Sequence, residues 1–200
     1  MKDVSAKQLA AIGLFSALVF LATAVLKIPT PTFGYIHIGD AFVLLAGFLL
    51  GPVYGGLAAG IGSSLSDLIG GYIIWIPGTF FIKFLTAYAA ARVFQALQHI
   101  SKKNASPHDN TLRSRSAILQ ELIPSGVSGE LVMTAGYFLY NILIVFFAGG
   151  NAQSSLLTAA TLSLAEIPFN LAQAAIGIVI CLILYPLFMK GTAKMHLSAF

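Results

Sequence analysis

The chain has 200 residues, of which 58% are hydrophobic and 9% charged, against roughly 25% charged in ordinary soluble proteins. Eleven basic and seven acidic side chains cannot cover a globule in water, and so apolar a chain is equally far from disorder. The single cysteine, Cys181, excludes an internal disulfide or thiolate cluster, and the net charge of +4 lies beside apolar runs rather than on a basic face, which argues against nucleic acid.

At roughly 20 residues per crossing, the composition describes an all-α integral membrane protein, one domain of about six helices over residues 1–200. The first apolar run, Gln8 to Leu26, is long enough to cross a bilayer. Its 19 uncharged residues exceed the apolar core of a signal peptide, so it reads as a retained helix. A proline-rich stretch, Ile28 to Gly39, breaks the helix. A short second helix covers 41–50, Gly51-Pro52 makes a reversal, and a third helix covers 55–69. Tyr72 to Pro77 forms an interfacial loop before the fourth helix, 78–94. The polar linker 95–116 divides the chain into halves and precedes a fifth helix, 123–147. After the loop at 149–155, apolar character resumes, and Pro168 implies either a kinked crossing or a short surface helix leading into the sixth, 164–188.

The basic residues test this count. With six crossings and both termini cytoplasmic, Lys2, Lys7, Arg92, Lys102, Lys103, Arg113, Arg115, Lys190 and Lys194 fall on the cytoplasmic side, leaving only Lys27 and Lys83 elsewhere.

Polar groups inside such helices need protein, water or a ligand to face. Thr79, Lys83 and Thr86 recur at helical spacing on the fourth helix. Glu130, Thr134, Tyr137 and Asn141 do so on the fifth, and Glu166, Asn170 and Gln173 on the sixth. Three polar seams of this kind should face one another or an aqueous cavity in the outer half, with His37, Asp40 and Asp67 nearby and Tyr72 and Trp75 at its rim. Glu130 is placed near the cytoplasmic end of its helix, as an ion-pair partner for the basic linker. Small residues Ala6, Ala10, Gly13 and Ala17 share a face of the first helix, suited to close contact with another helix, internal or foreign. Gly56, Gly60, Ser63, Asp67 and Gly70 form a similar stripe on the third, read as internal packing.

No phosphate-binding loop, zinc-ligand pair or nucleophile elbow is present. The chain is therefore expected to be no enzyme, to hold no metal or cofactor, and to depend on a partner or an ion gradient for energy.

At the level of motifs, Ile36-His-Ile-Gly-Asp40, Leu50-Gly-Pro52 with Gly55 and Gly56, Gly60 to Asp67, Pro77 to Lys83, Ser128-Gly-Glu130 with Gly136-Tyr137, and Ile167-Pro-Phe-Asn170 with Gln173 resemble the substrate-binding S components of energy-coupling factor (ECF) vitamin transporters. The resemblance implies a six-helix subunit in a prokaryotic plasma membrane that binds one vitamin or precursor in its outer half. The partners implied are a transmembrane coupling subunit, docked on Ala6, Ala10, Gly13 and Ala17, and two ATPase subunits. Among substrates, hydroxymethylpyrimidine or pyridoxine fits best and riboflavin next. The expected ligand contacts are His37, Trp75, Thr79, Lys83, Tyr137, Asn141, Glu166, Asn170 and Gln173. The alternative is a self-sufficient proton-coupled transporter relaying through Asp40, Asp67, Glu130 and Glu166. An intramembrane acid-base enzyme using the Lys and Glu side chains has least support.

Overall fold

A computed structural model describes residues 5–30, 35–104, 115–148 and 156–194. The elements in chain order are α1 (Ala6–Val25), a short ribbon of β1 (Ile28–Pro29) and β2 (Tyr35–Ile36), α2 (Asp40–Gly70), a 3-10 turn (Ile73–Trp75), α3 (Ile76–Asn104), α4 (Arg115–Ala148), α5 (Leu156–Leu164) and α6 (Ile167–Lys194). The fold is almost wholly helical, because backbone groups in hydrocarbon must find partners within their own segment.

Local chemistry sets the ends of these helices. Ser5 starts α1 with a capping box: its hydroxyl accepts from the Gln8 amide at 3.2 Å, and the Gln8 side chain accepts from the Ser5 amide at 2.9 Å. The ribbon is antiparallel, with Ile28 opposite Ile36 and Pro29 opposite Tyr35. It carries the chain from α1 across the end of the bundle to Asp40, the first residue of α2. At its far end α2 stops at Gly71, whose φ of 79° is open to glycine without strain.

The long α2 is two arms. At Gly51 the backbone leaves the helix with φ 79° and ψ −179°, and Pro52 follows. A Cβ on Gly55 would lie 2.6 Å from the Gly47 Cα, although residues eight apart in a continuous helix stand about 12 Å apart. The second arm therefore folds back along the first. Gly47 packs on Ala87, while Gly56 and Gly60 pack on Phe84 and Phe80, so the arms run in opposite directions along α3. The reversal is where the sequence places it. The first arm, Asp40 to Leu50, spans only about 16 Å.

Among the described residues, five helices are long and apolar enough to cross a membrane; six were expected. The difference arises at α2, whose short first arm does not meet that length alone. Other boundaries also move. The α3 helix continues through the predicted linker to Asn104, with Lys102 and Lys103 in its last turn complementing the helix dipole. The α4 helix begins at Arg115, eight residues before the predicted start. Hydropathy falls where lipid ends, but helical hydrogen bonding continues into water. The centre of the linker, 105–114 with Arg113, lies outside the described residues, as do Lys2, the loop at 149–155 and the side chains of Lys190 and Lys194. The last apolar run takes the second of the two readings offered for Pro168: short α5, a turn at Ala165 and Glu166, then α6.

Phe15, Leu44, Leu45, Leu50, Phe94, Leu122, Cys181 and Tyr185 pack the core between α1, α2, α3, α4 and α6. Large apolar side chains also face outward, among them Leu131, Leu139, Ile183 and Leu187. Such an exterior suits acyl chains and not water.

Candidate functional site

A cavity with about 560 Å³ of empty space, counted out to its open mouth, lies where the β ribbon, the end of α2, the start of α3, the later part of α4 and the start of α6 meet. The helix ends that carry Lys7, Lys102 and Lys103 are the opposite ends of α1 and α3.

Eight of the nine expected ligand residues line this cavity: His37, Trp75, Thr79, Tyr137, Asn141, Glu166, Asn170 and Gln173. The three polar seams do converge. Tyr137 of α4 donates to Thr79 of α3 at 3.4 Å, and Gln173 of α6 accepts from the backbone N–H of His37 at 2.9 Å. Trp75 stands 6.1 Å from Tyr137, ring centre to ring centre, at a tilt of 56°.

Lys83 is the exception. It is fully buried below the cavity and forms an ion pair with Asp40, which is also fully buried. Asp40 accepts a second bond from the Gln173 side-chain amide at 2.6 Å. Lys83 therefore links α3 to α2, and through Gln173 the pair also holds α6 and the loop residue His37. Thr79 precedes it by one turn and reaches the cavity; Lys83 lies one turn deeper.

Glu130 also departs from expectation. Because α4 starts at Arg115, Glu130 lies near mid-helix, 3% exposed, and both its carboxylate oxygens lack a hydrogen-bond partner among the described residues. Among the described residues it forms no ion pair with the basic linker.

Five further residues line the cavity: Thr23, Tyr35, Ser63, Asp67 and Tyr72. Ser63 and Asp67 belong to a stripe that the sequence assigns to packing. Gly56 and Gly60 of that stripe do pack, against Phe84 and Phe80, and Gly70 lies against Lys27 and Tyr72, while its polar members reach the cavity one or two turns beyond Gly60. Asp67 is also placed near the cavity by the sequence, because a charge in a membrane helix needs a polar partner. Thr23 and Tyr35 carry no periodic pattern.

The ribbon is pinned at the mouth. The Tyr35 hydroxyl donates to Asp67 at 2.5 Å, and Thr30 donates to Glu166 at 2.6 Å. Lys27 donates to the Ser66 carbonyl at 3.1 Å and lies 4.4 Å from the Tyr35 ring centre and 5.2 Å from that of Tyr72. Burial lowers the Lys27 pKa, with Asp67 opposing, and burial followed by the Asp67 charge raises that of Tyr35. Burial, reinforced by the Lys83 charge, pushes His37 down to about 3. Its imidazole is neutral, and Nδ1 accepts from the Gly39 amide at 3.0 Å.

Four buried polar atoms in the cavity wall have no partner among the described residues: Thr23 Oγ1, Ser63 Oγ, Asp67 Oδ2 and Asn141 Nδ2. Buried polar groups are nearly always paired, so a wall with four open valences suits a polar guest or water. Aromatic faces from Tyr35, Tyr72, Trp75 and Tyr137 stand beside them. No cluster of metal-binding side chains occurs among the described residues.

The sequence profile of the family described as "ECF-type riboflavin transporter, S component" matches residues 3–190. The chain belongs to this family. It is thus a membrane-embedded, multi-pass transport component and not an enzyme. A solved structure described as the S component of a bacterial ECF transporter aligns over 94% of this chain and 96% of that one. Its TM-score is 0.53 at 24% identity, a likeness of fold. An uncharacterized protein of Pyrococcus woesei is 42% identical over 66 residues, 32% of this chain. The matched region spans 44% of that relative's length, less than half of it.

Proposed function

We propose that the chain is the substrate-binding subunit of an ECF-type importer and captures a small heteroaromatic vitamin in the cavity described above. The observation that carries this reading is the pairing, in one wall, of four aromatic faces with four polar atoms that have no partner among the described residues. Rings supply stacking surface, while open donors and acceptors fix the edge of a heterocycle.

The sequence motifs favour hydroxymethylpyrimidine or pyridoxine. The family description favours riboflavin, which we place first. Asn141, Asn170 and Gln173 would meet its polar edge, and Trp75 or Tyr137 its ring face.

In this reading the two arms of α2 are separate passages, giving six, with both termini cytoplasmic and the cavity facing outward in a prokaryotic plasma membrane. Lys7, Lys102 and Lys103 at the ends away from the cavity support that orientation. The coupling subunit, with its two ATPases, would dock on α1. Ala6, Ala10, Gly13 and Ala17 are all exposed, while the opposite face with Phe15 and Val19 is buried. No cofactor takes part.

Calorimetry on the folded protein in nanodiscs, against riboflavin, pyridoxine and hydroxymethylpyrimidine, tests the reading. Submicromolar binding of one is expected. Absence of binding for these and for the remaining B vitamins refutes it.

A proton-coupled carrier is the second reading, favoured by the buried Glu130, which has no hydrogen-bond partner among the described residues. It requires uptake in cells lacking the ATPases, abolished by an uncoupler.

A further inference from the structure

The cavity has a definite electrical character. Among the described residues its wall contains two carboxylates, Asp67 and Glu166, and neither lysine nor arginine. The nearby cations are committed elsewhere. Lys83 is buried against Asp40, which matches its charge. Lys27 donates to the Ser66 carbonyl and lies over the faces of Tyr35 and Tyr72, outside the cavity wall. His37 adds no charge, since burial holds its imidazole neutral down to about pH 3.

Hydrogen-bonding capacity points the same way. Asp67 uses one oxygen for Tyr35, its other oxygen has no partner among the described residues, and Glu166 accepts from Thr30. Carboxylate oxygens can only accept, so they reward a guest that brings hydroxyl or ring N–H donors. A phosphate ester brings acceptors and negative charge. It would surrender its hydration to enter a wall that offers like charge and no cation, at the low effective dielectric of a protein interior.

We infer that this cavity discriminates by charge, accepting the unphosphorylated, neutral or cationic heterocycle and rejecting its phosphate ester, with Glu166 and Asp67 as the specificity-determining residues. The inference rests on the ligand-binding reading above and adds to it a selection rule and the residues that enforce it.

The test uses the full chain in nanodiscs at pH 7.5 and two matched pairs of probes: riboflavin with riboflavin 5′-phosphate, and pyridoxine with pyridoxine 5′-phosphate. For whichever parent compound binds, the phosphate is expected to bind at least roughly 100-fold more weakly. Glu166→Gln and Asp67→Asn keep shape and remove charge. Each is expected to narrow that ratio by about tenfold by improving phosphate affinity, a gain that a merely destabilised protein would not show. Two variants keep the test open should one fail to fold, as judged by size-exclusion profile. A phosphate ester that binds within about threefold of its parent, or a ratio unchanged in the folded variants, overturns the inference while leaving the binding reading intact. Failure of both parents and both esters to bind removes the binding reading and this inference with it.

Discussion

Replacing Lys83 by methionine separates a structural lysine from a ligand-contacting one. Lys83 and Asp40 are both completely buried and paired. Methionine fills much of the lysine stem but leaves the Asp40 carboxylate with the Gln173 amide as its remaining partner. Breaking one side of a buried pair costs about 3–5 kcal/mol, because the surviving charge is stranded. At about 2–4 °C per kcal/mol for a chain of this length, Lys83→Met should melt roughly 6–20 °C below the parent. Cys181 is the single cysteine and is buried, so a thiol-reactive fluorophore reads the transition directly. Asp40→Asn combined with Lys83→Met removes the stranded charge and still offers an oxygen to Gln173. It should recover more than half of the lost stability. A Lys83→Met protein that melts within about 2 °C of the parent yet no longer binds ligand would refute the reasoning, and would place the ammonium group in the cavity after all.

Asn170→Leu removes a buried amide from the cavity wall and should weaken ligand affinity by about 10- to 100-fold, equivalent to about 1–3 kcal/mol, with little change in melting; calorimetry beside a thermal melt checks both. Gly13→Leu should leave binding and folding unchanged, since a Cβ there meets nothing within 4 Å, but should abolish uptake in cells carrying the complete importer. For His37, the unfolded imidazole titrates near 6.5 and the folded one near 3. Its neutral form is favoured in the native state, so stability is fully present above pH 6.5 and declines by at most about 1.4 kcal/mol per unit as pH falls toward 3. Ligand affinity should therefore show no His37 titration between pH 5 and 8, while the melting temperature drops across the lower part of that range; an affinity step near pH 6.5 would contradict a neutral, buried ring.

The convergence of α3, α4 and α6 around a polar centre was legible because hydrocarbon leaves no alternative. Asn141, Asn170 and Gln173 at helical spacing cannot face lipid, and the structure buries all three. The reversal at Gly51-Pro52 was legible for a similar reason: a proline after a glycine in an apolar run has few helical uses, and the glycine takes positive φ. The α1 side of the cavity was not. Thr23 lies in an alanine-rich helix and Tyr35 in a two-residue strand, so neither belongs to a pattern that periodicity can detect.

Periodicity fixes the face of a helix but says nothing about depth, and depth decided the roles of two charged residues. Thr79 and Lys83 share a face one turn apart, yet one opens to the cavity and the other meets Asp40. Depth has to be counted from a helix end, and the end of apolar sequence is a poor substitute, because an α-helix persists in water wherever its own hydrogen bonds and caps sustain it. Starting α4 at Ile123 instead of Arg115 is an error of eight residues, or about 12 Å along the axis. That distance is over a third of the hydrocarbon thickness. It is enough to turn Glu130 from a rim residue beside the basic linker into a buried acid in the middle of the bundle, where its carboxylate lies within electrostatic reach of the Asp40–Lys83 pair.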